Sequence, residues 1–316
     1  RYACTLLLVT VALAGCSQNH GTQSPRGTTV GGPTSLVDAR KGFQTHLVRQ
    51  QAPGTPAPEP PPRIFRKVRY DAAVGKLAAY LTPDPHDGKK HPAIIWITGG
   101  DCNSIDEGCW QEGPPQNDQS ASAFRKAGIV MMFPSLRGGN DNPGAKEGFL
   151  GEVDDVLAAG RFLAQQKYVD PARIYVGGHS TGGTLVLLVA ECPNRFRAVF
   201  SFGPVENVAG YPLEYVPFDT SNAREVQLRS PGWWLASIRT PTFVFEGTIQ
   251  SNLQSLQAMA RASTNPHAHF LPVAGATHFS ILSPTTRLIA QKIGRDTGPN
   301  CNLTFTEAEL AAAFRQ

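Results

Sequence analysis

The stretch from Arg173 to Leu185 reads R-I-Y-V-G-G-H-S-T-G-G-T-L, and the rest of the fold can be worked out from it. Its apolar start, Ile174 to Val176, is typical of a short buried strand, and an apolar helix is predicted directly after the glycines. A sharp turn between them would hold Ser180 in a strained backbone conformation, with a glycine two positions away on either side. Because strand, turn and helix occur together, we interpret the motif as an elbow that presents the Ser180 hydroxyl.

Two backbone amides are candidates for holding a negatively charged oxygen beside Ser180. The Thr181 N–H would lie at the N-terminus of the helix after the turn, where the helix dipole favours negative charge. The second amide would come from the turn T-G-G-D that follows a buried strand over 92–97. We predict Gly100 as this donor, because glycines there let the backbone face a ligand; an ordinary strand-to-loop turn is the alternative.

Strand and helix patterns alternate along the chain from residue 63 onward. Two short strands on either side of a turn at Gly75 predict an antiparallel edge. The alternation beyond them predicts an α/β fold with a mostly parallel central sheet, helices on both faces and active-site loops at the strand ends. We expect the irregular segment 205–234 to roof part of the pocket. Further strands are predicted over 92–97, 128–134, 197–202, 242–245 and 269–273, and helices over 120–127, 151–165, 252–262 and 283–293, with a terminal helix opened by a Thr306–Glu309 capping box.

Composition and charge narrow the function. The 316 residues are 41% hydrophobic, enough for one catalytic domain of about 230 residues. The formal charge is only +4 and no long Lys/Arg run occurs, which argues against nucleic acid as a partner. The sequence has neither a dinucleotide fingerprint nor an H-E-x-x-H site, so no cofactor or metal is predicted. Asp154 and Asp155 are adjacent and point to different faces of a helix, so we interpret them as a solvated helix start.

The N-terminal region predicts export. Residues 1–16 resemble a bacterial lipoprotein signal, with an apolar run ending in L-A-G-C and Cys16 as the lipidated residue. An ordinary export signal is the alternative, and both would take the chain to the cell envelope, with the lipid anchoring it to the membrane. We interpret residues 17–62 as a Pro/Gly/Ser-rich tether and 63–316 as the catalytic domain, although apolar residues within 35–48 could pack on that domain.

Cysteine usage is consistent with an oxidising compartment. Apart from the two cysteines of the predicted signal, the chain has four, at positions 102, 109, 192 and 301. We expect the pairs Cys102–Cys109, closing a short loop, and Cys192–Cys301, tying the C-terminal tail to the helix after the elbow. Free buried thiols are the alternative.

A serine hydroxyl needs a base in contact with it and a third group that orients the base. The predicted base is His278, in a loop after the last strand. With these residues in place, the sequence resembles the α/β-hydrolase family and, within it, the catalytic domains of the prolyl oligopeptidase group. The resemblance covers residues 63–293 and implies a Ser–acid–His triad in that chain order. It rests on the segments S-L-R-G-G-N, E-V-D-D-V, V-D-P-A-R-I, G-H-S-T-G-G and S-P-G-W-W-L-A-S-I-R-T-P-T-F-V-F-E-G-T, together with His278.

The sequence departs from that group at the acid. The group's aspartate would correspond to Gln250, which cannot supply a charge. We predict Glu246, at the end of the preceding strand, as the acid, with Glu206 and Asp219 as alternatives.

The resemblance implies an acyl-enzyme mechanism. Because no propeller domain is recognisable and nothing marks a charged peptide terminus, we expect a carboxylic ester hydrolase acting on small esters. A small peptidase acting on short peptides is the first alternative. Because of Gln250, a non-catalytic binding protein on a hydrolase scaffold is the second.

Overall fold

The computed structural model describes residues 35–50 and 54–314. The predicted signal segment with Cys16, and residues 17–34 and 51–53 of the predicted tether, lie outside these residues. In the described part, no helix is both long enough and apolar enough to cross a bilayer. The strands are β1 (Arg66–Ala72), β2 (Gly75–Leu81), β3 (His91–Ile97), β4 (Val130–Pro134), β5 (Val169–His179), β6 (Val199–Phe202), β7 (Thr242–Ile249) and β8 (Ala268–Thr277), and the helices are α1 (Leu36–Arg40), α2 (Ser122–Lys126), α3 (Glu152–Ala164), α4 (Thr181–Ala190), α5 (Ala223–Gln227), α6 (Leu253–Ala262), α7 (Leu282–Arg295) and α8 (Glu307–Phe314).

One eight-stranded sheet organises the fold, in the order β1-β2-β4-β3-β5-β6-β7-β8. The first two strands form an antiparallel hairpin, and β2 also runs antiparallel to β4. All the remaining neighbours are parallel. The predicted α/β fold, its mostly parallel sheet and its antiparallel N-terminal edge are confirmed. The carboxyl ends of the parallel strands therefore meet at one edge, where loops can form a site.

The strands β3 to β7 carry apolar side chains on both faces, as expected for strands covered on both sides. In β3, Ala93, Ile95 and Ile97 face a core shared with α3 and α4. Ile94 and Trp96 face the opposite core, shared with α2 and α7. The helices therefore cover both faces of the sheet, and the sheet separates the two cores.

The predicted disulfides are absent from the structure, in which Cys102, Cys109, Cys192 and Cys301 are free thiols. In each predicted pair, the first cysteine packs in the core of α3 and α4, whereas the second packs in the core of α2 and α7. Sequence spacing could not show this separation, because it depends on which face of the sheet each loop covers. Burial raises the pKa of the Cys192 thiol to about 11, so this group stays protonated at neutral pH.

Part of the predicted tether packs on the domain. Leu36 and Ala39 of α1 are buried in the core of α3 and α4. The Arg40 guanidinium donates hydrogen bonds to the carbonyl oxygens of Phe149, Leu150 and Leu228. Part of segment 35–50 thus packs on the domain and binds the loops that carry Phe149, Leu150 and Leu228.

The prediction of a solvated start to α3 agrees with Asp154, which is exposed, but is wrong for Asp155. Asp155 is fully buried and accepts hydrogen bonds from the Arg137 backbone and guanidinium at 2.9 to 3.0 Å. Arg137 lies in the loop after β4, so its contact with Asp155 joins residues far apart in the chain and no local pattern could predict it.

The predicted capping box of the last helix is confirmed. Thr306 Oγ1 accepts a hydrogen bond from the Glu309 amide at 3.2 Å, and Glu309 Oε2 accepts one from the Thr306 amide at 3.0 Å.

Candidate active site

Ser180 occupies the turn between β5 and α4. Its backbone has φ 56° and ψ −114°, a conformation in which a non-glycine residue is strained, as the sequence predicts. The flanking glycines are there because the chain passes too closely for a side chain. A Cβ on Gly178 would lie 2.6 Å from the Gly182 carbonyl oxygen, and a Cβ on Gly182 would lie 2.4 Å from the carbonyl oxygen of Ile97. The turn therefore packs tightly against the end of β3 and presents Ser180 at the sheet edge.

His278 lies directly after β8 and contacts Glu246 of β7. In the tautomer that fits, His278 Nδ1–H donates to Glu246 Oε2 at 3.0 Å. The same oxygen accepts from the Asn252 amide at 3.0 Å, and Oε1 accepts from the Gly247 amide at 2.7 Å. Glu246 is fully buried. Three N–H donors thus fix the carboxylate, which in turn fixes the orientation of the imidazole.

The other acid candidates lie elsewhere. Gln250 is exposed, with a left-handed backbone φ of 46°, beyond the end of β7. Asp219 is exposed and accepts from the Ser221 hydroxyl at 2.7 Å. Glu206 is half-buried and contributes its carbonyl oxygen to the Gly232 amide. Of the three candidates named from the sequence, Glu246 is the one that the structure places against His278.

The two predicted oxyanion donors lie on loops that contact each other. Thr181 Oγ1 donates to the Gly100 carbonyl oxygen at 2.9 Å, which ties the start of α4 to the turn after β3. Gly100 has a φ of 74°, which favours glycine. The neighbouring Gly99 amide donates to Gln119 Oε1 at 3.1 Å, so it is not free to donate to a ligand. The Gly100 amide has no hydrogen-bond partner among the described residues, so it remains available to a ligand.

A cleft at this edge of the sheet brings the predicted residues together. Ser180, His278, Thr181 and Gly100 all line it. The segment predicted to roof the pocket does so, through Val205, Gly210, Tyr211, Pro212 and Tyr215. No hydrogen bond joins the Ser180 hydroxyl to His278 within the described residues. Such catalytic contacts are often long in a protein without substrate and tighten when substrate binds.

A second cavity adjoins the cleft across the oxyanion loops. Gly100, Thr181 and Tyr215 line both spaces. The second cavity adds the Phe149 ring and the ion pair of Lys146 with Asp101, whose Nζ–Oδ1 distance is 2.8 Å. Apart from its histidines, the first cleft is lined by uncharged side chains.

His179 was not assigned a role from the sequence, but it lies at the centre of the site. Its ring is fully buried and its centroid lies 4.6 Å from that of His278. Nε2 lies 2.9 Å from the His278 carbonyl oxygen, and Nδ1 lies 2.9 Å from Gln119 Nε2. Burial, assisted by the nearby His278, lowers the pKa of His179 to about 3, so the ring is neutral at physiological pH. Its position before Ser180 was the available signal, but both partners come from distant loops.

Comparisons with known proteins show what parts of the chain resemble. Residues 115–260 match the model of the prolyl oligopeptidase family, a range that contains Ser180 and Glu246. The chain is 35% identical to prolyl oligopeptidase A of Amanita bisporigera over 80 residues, 23% of this chain and 10% of that protein. It is 27% identical to S-formylglutathione hydrolase of Mus musculus over 159 residues, 42% of this chain and 52% of that protein. The chain thus matches a tenth to about half of the length of these relatives.

Solved structures share the fold at low sequence identity. An esterase of Pyrococcus furiosus superposes with a TM-score of 0.57 at 15% identity, over 78% of this chain and 97% of that one. An acylaminoacyl peptidase gives a TM-score of 0.56 at 15% identity, over 78% of this chain and 43% of that one. The fold is the α/β-hydrolase fold, and the site brings together a serine, a histidine and a carboxylate in the arrangement that serine hydrolases use. Its resemblance to the catalytic domains of the prolyl oligopeptidase group is confirmed over residues 115–260.

Proposed function

We propose that the chain is a carboxylic ester hydrolase in which Ser180, His278 and Glu246 form the catalytic triad. The proposal rests on the 3.0 Å contact between His278 Nδ1 and the buried Glu246 carboxylate, and on the cleft that His278 and the strained Ser180 line together. A base oriented by a carboxylate, next to a serine on an elbow, is the arrangement that activates a hydroxyl for attack on an acyl carbon.

The mechanism follows from these positions. Ser180 Oγ attacks the ester carbonyl while His278 Nε2 takes its proton, and the Thr181 and Gly100 amides stabilise the oxygen as it becomes negative. His278 then protonates the departing alcohol, which leaves an acyl-enzyme. Water attacks that ester in the second half, passing its proton through His278 to Ser180 and releasing the carboxylic acid. Glu246 stabilises the imidazolium in both halves.

An ester is favoured by the character of the cleft. Beyond the two histidines, its walls are neutral, with Tyr211, Pro212 and Phe279 among them. A peptidase that selects a charged chain terminus needs an opposite charge at a fixed position, and this cleft has none among its described lining residues. The similarity to S-formylglutathione hydrolase over 42% of the chain points the same way.

A small peptidase is the second candidate, favoured by the family match over residues 115–260. Rates on matched ester and aminoacyl-amide substrates with the same acyl group separate the two. Ester hydrolysis with little amide hydrolysis supports the first candidate, whereas efficient cleavage of short peptides overturns it.

The proposed triad can be tested without a known substrate. A fluorophosphonate probe should label Ser180, as mapped by mass spectrometry, and the label should be lost in Ser180→Ala and His278→Ala. A folded protein that remains unlabelled would overturn the proposal and favour a binding protein on a hydrolase scaffold.

We also propose that the chain is exported and anchored through a lipid on Cys16, from the lipoprotein-like sequence of residues 1–16. The free thiols remove the disulfide argument for export, so the proposal rests on that sequence alone. Metabolic labelling with radioactive palmitate should mark the wild type and leave Cys16→Ala unmarked. Equal labelling of both would overturn it.

A further inference from the structure

We propose that His179 and Gln119 form a positioning pair that holds the backbone of His278 and the oxyanion turn in register with Ser180. This inference rests on the proposed function. It concerns side chains that lie beside the triad and outside it.

The pair forms a continuous chain of hydrogen bonds across three loops. The Gly99 amide, in the oxyanion turn, donates to Gln119 Oε1 at 3.1 Å. Gln119 Nε2 donates to His179 Nδ1 at 2.9 Å, and His179 Nε2–H donates to the carbonyl oxygen of His278 at 2.9 Å. This series of hydrogen bonds thus begins at the oxyanion loop, runs through His179, the residue before Ser180, and ends at the backbone of His278.

Every donor in this series of hydrogen bonds has an acceptor. The second proton of the Gln119 amide goes to Asn117 Oδ1 at 2.8 Å, so the orientation of that amide is fixed. The Gln119 backbone is held as well, since its carbonyl oxygen accepts from the Trp96 indole at 3.0 Å. A Gln119 amide that donates to Nδ1 requires the proton of His179 on Nε2. That tautomer supplies the donor that the His278 carbonyl needs.

A neutral ring suits this task. Gln119 and the His278 carbonyl are uncharged partners, and the titratable group facing the ring is the His278 imidazole. A charged His179 would disfavour the imidazolium that His278 must form during catalysis. Because its pKa is about 3, His179 keeps the same hydrogen bonds across the pH range in which His278 works as a base.

The test compares substitutions that keep or remove the two hydrogen bonds. His179→Phe keeps a ring of similar size and removes both bonds, whereas His179→Gln offers one acceptor and one donor. We expect His179→Phe to lower kcat by about tenfold to a hundredfold with KM changed less than about twofold, the effect of a misplacement near 1 Å. His179→Gln should recover part of this loss. His269→Phe is the matched control: His269, on β8, stacks on Phe243 of β7, and its substitution should leave kcat unchanged.

Substitutions of Gln119 give an independent readout from the pH profile. In Gln119→Glu, the introduced carboxylate favours a proton on Nδ1, so Nε2 cannot donate to His278 until the ring takes up a second proton. The kcat profile should therefore gain an ionisation that the wild type and Gln119→Leu both lack. Gln119→Leu should lower kcat without that ionisation.

The outcomes separate this inference from the proposed function. Failure of the probe to label wild-type Ser180 would overturn the function itself. If the probe labels wild-type Ser180 normally, two results would overturn the positioning pair alone. One is full kcat in a folded His179→Phe variant, and the other is identical pH profiles of kcat for Gln119→Glu and Gln119→Leu.

Discussion

Glu246 and His278 are 32 positions apart in the chain, yet the Glu246 carboxylate lies 3.0 Å from Nδ1 of the imidazole. They meet because β7 and β8 are parallel neighbours, which brings Glu246, three residues before the end of β7, close to the loop after β8. The exposed Gln250 lies beyond that meeting point. A carboxylate inside β7 can therefore take the place of the later aspartate that the resemblance to the prolyl oligopeptidase group implies.

Glu246→Gln should lower kcat by about three to four orders of magnitude, the range found when a triad carboxylate becomes an amide. The amide keeps the size of the side chain but cannot stabilise the imidazolium. The measurement is steady-state turnover of an ester, with the melting temperature as a check of folding. Glu206→Gln, at a half-buried carboxylate away from His278, is the control and should match wild type. The reverse ranking of the two variants would refute the triad.

Gly203→Ala should lower kcat by about a hundredfold while leaving the protein folded. Gly203 has a φ of 59°, and a Cβ there would lie 2.4 Å from His278 Cε1 and 3.0 Å from Glu246 Oε2. The imidazole must shift to make room, and a displacement near 1 Å costs about a hundredfold in rate. Gly294→Ala in α7, where the added methyl meets open space, should keep full activity and gain up to about 1 kcal/mol of stability. Equal activity of both variants would contradict the geometry.

Asp296→Asn should lower the stability of the fold at neutral pH and make that stability less dependent on pH in the acidic range. Burial acts to raise the pKa of this carboxyl, but hydrogen bonds from Arg197 and Tyr175 outweigh it and the pKa is lowered. Because the folded pKa is depressed, the stabilisation is present above the ordinary value of about 3.9 and is lost as pH falls through the folded value. The variant should be less stable by roughly 3–5 kcal/mol at pH 7, since Arg197 loses its buried partner.

Urea unfolding at several pH values tests this expectation. The difference between wild type and Asp296→Asn should shrink as the pH falls below about 4. A difference that stays constant down to the lowest pH would show that the ion pair does not carry the effect.

Glu191→Met should raise the stability of the fold at alkaline pH, in contrast to Asp296→Asn, which lowers it at neutral pH. Glu191 is almost fully buried at the end of α4, and neither carboxyl oxygen has a hydrogen-bond partner in the described structure. Burial raises its pKa well above the ordinary value, with Arg40 opposing the shift. Because the folded pKa is raised, the stabilisation is present below the ordinary value of about 4.3 and is lost as pH rises through the folded value.

The variant should therefore exceed wild type in stability by about 1–3 kcal/mol at pH 8, the cost of an unsatisfied buried polar group. The gap should narrow as the pH approaches 5. Melting temperatures measured across that range check it, and a variant less stable than wild type at pH 8 would show that Glu191 has a stabilising partner.

Local sequence patterns were enough to predict most strands and helices and to single out Ser180 as the candidate nucleophile. Local patterns predict the hairpin at Gly75, the alternating strands and helices, and the elbow at Ser180, because side-chain periodicity and glycine placement depend on near neighbours. His278 and Glu246 could be named because each follows or ends a recognisable strand.

Which side chains contact each other could not be read from the sequence. The tertiary structure placed the Glu246 carboxylate on His278, buried Asp155 against Arg137, and brought His179 between Gln119 and the His278 backbone. It also put the members of each expected cysteine pair in different cores, on opposite faces of the sheet. These contacts join loops that are distant in the chain, so they depend on strand order and on the faces of the sheet, which no local pattern encodes.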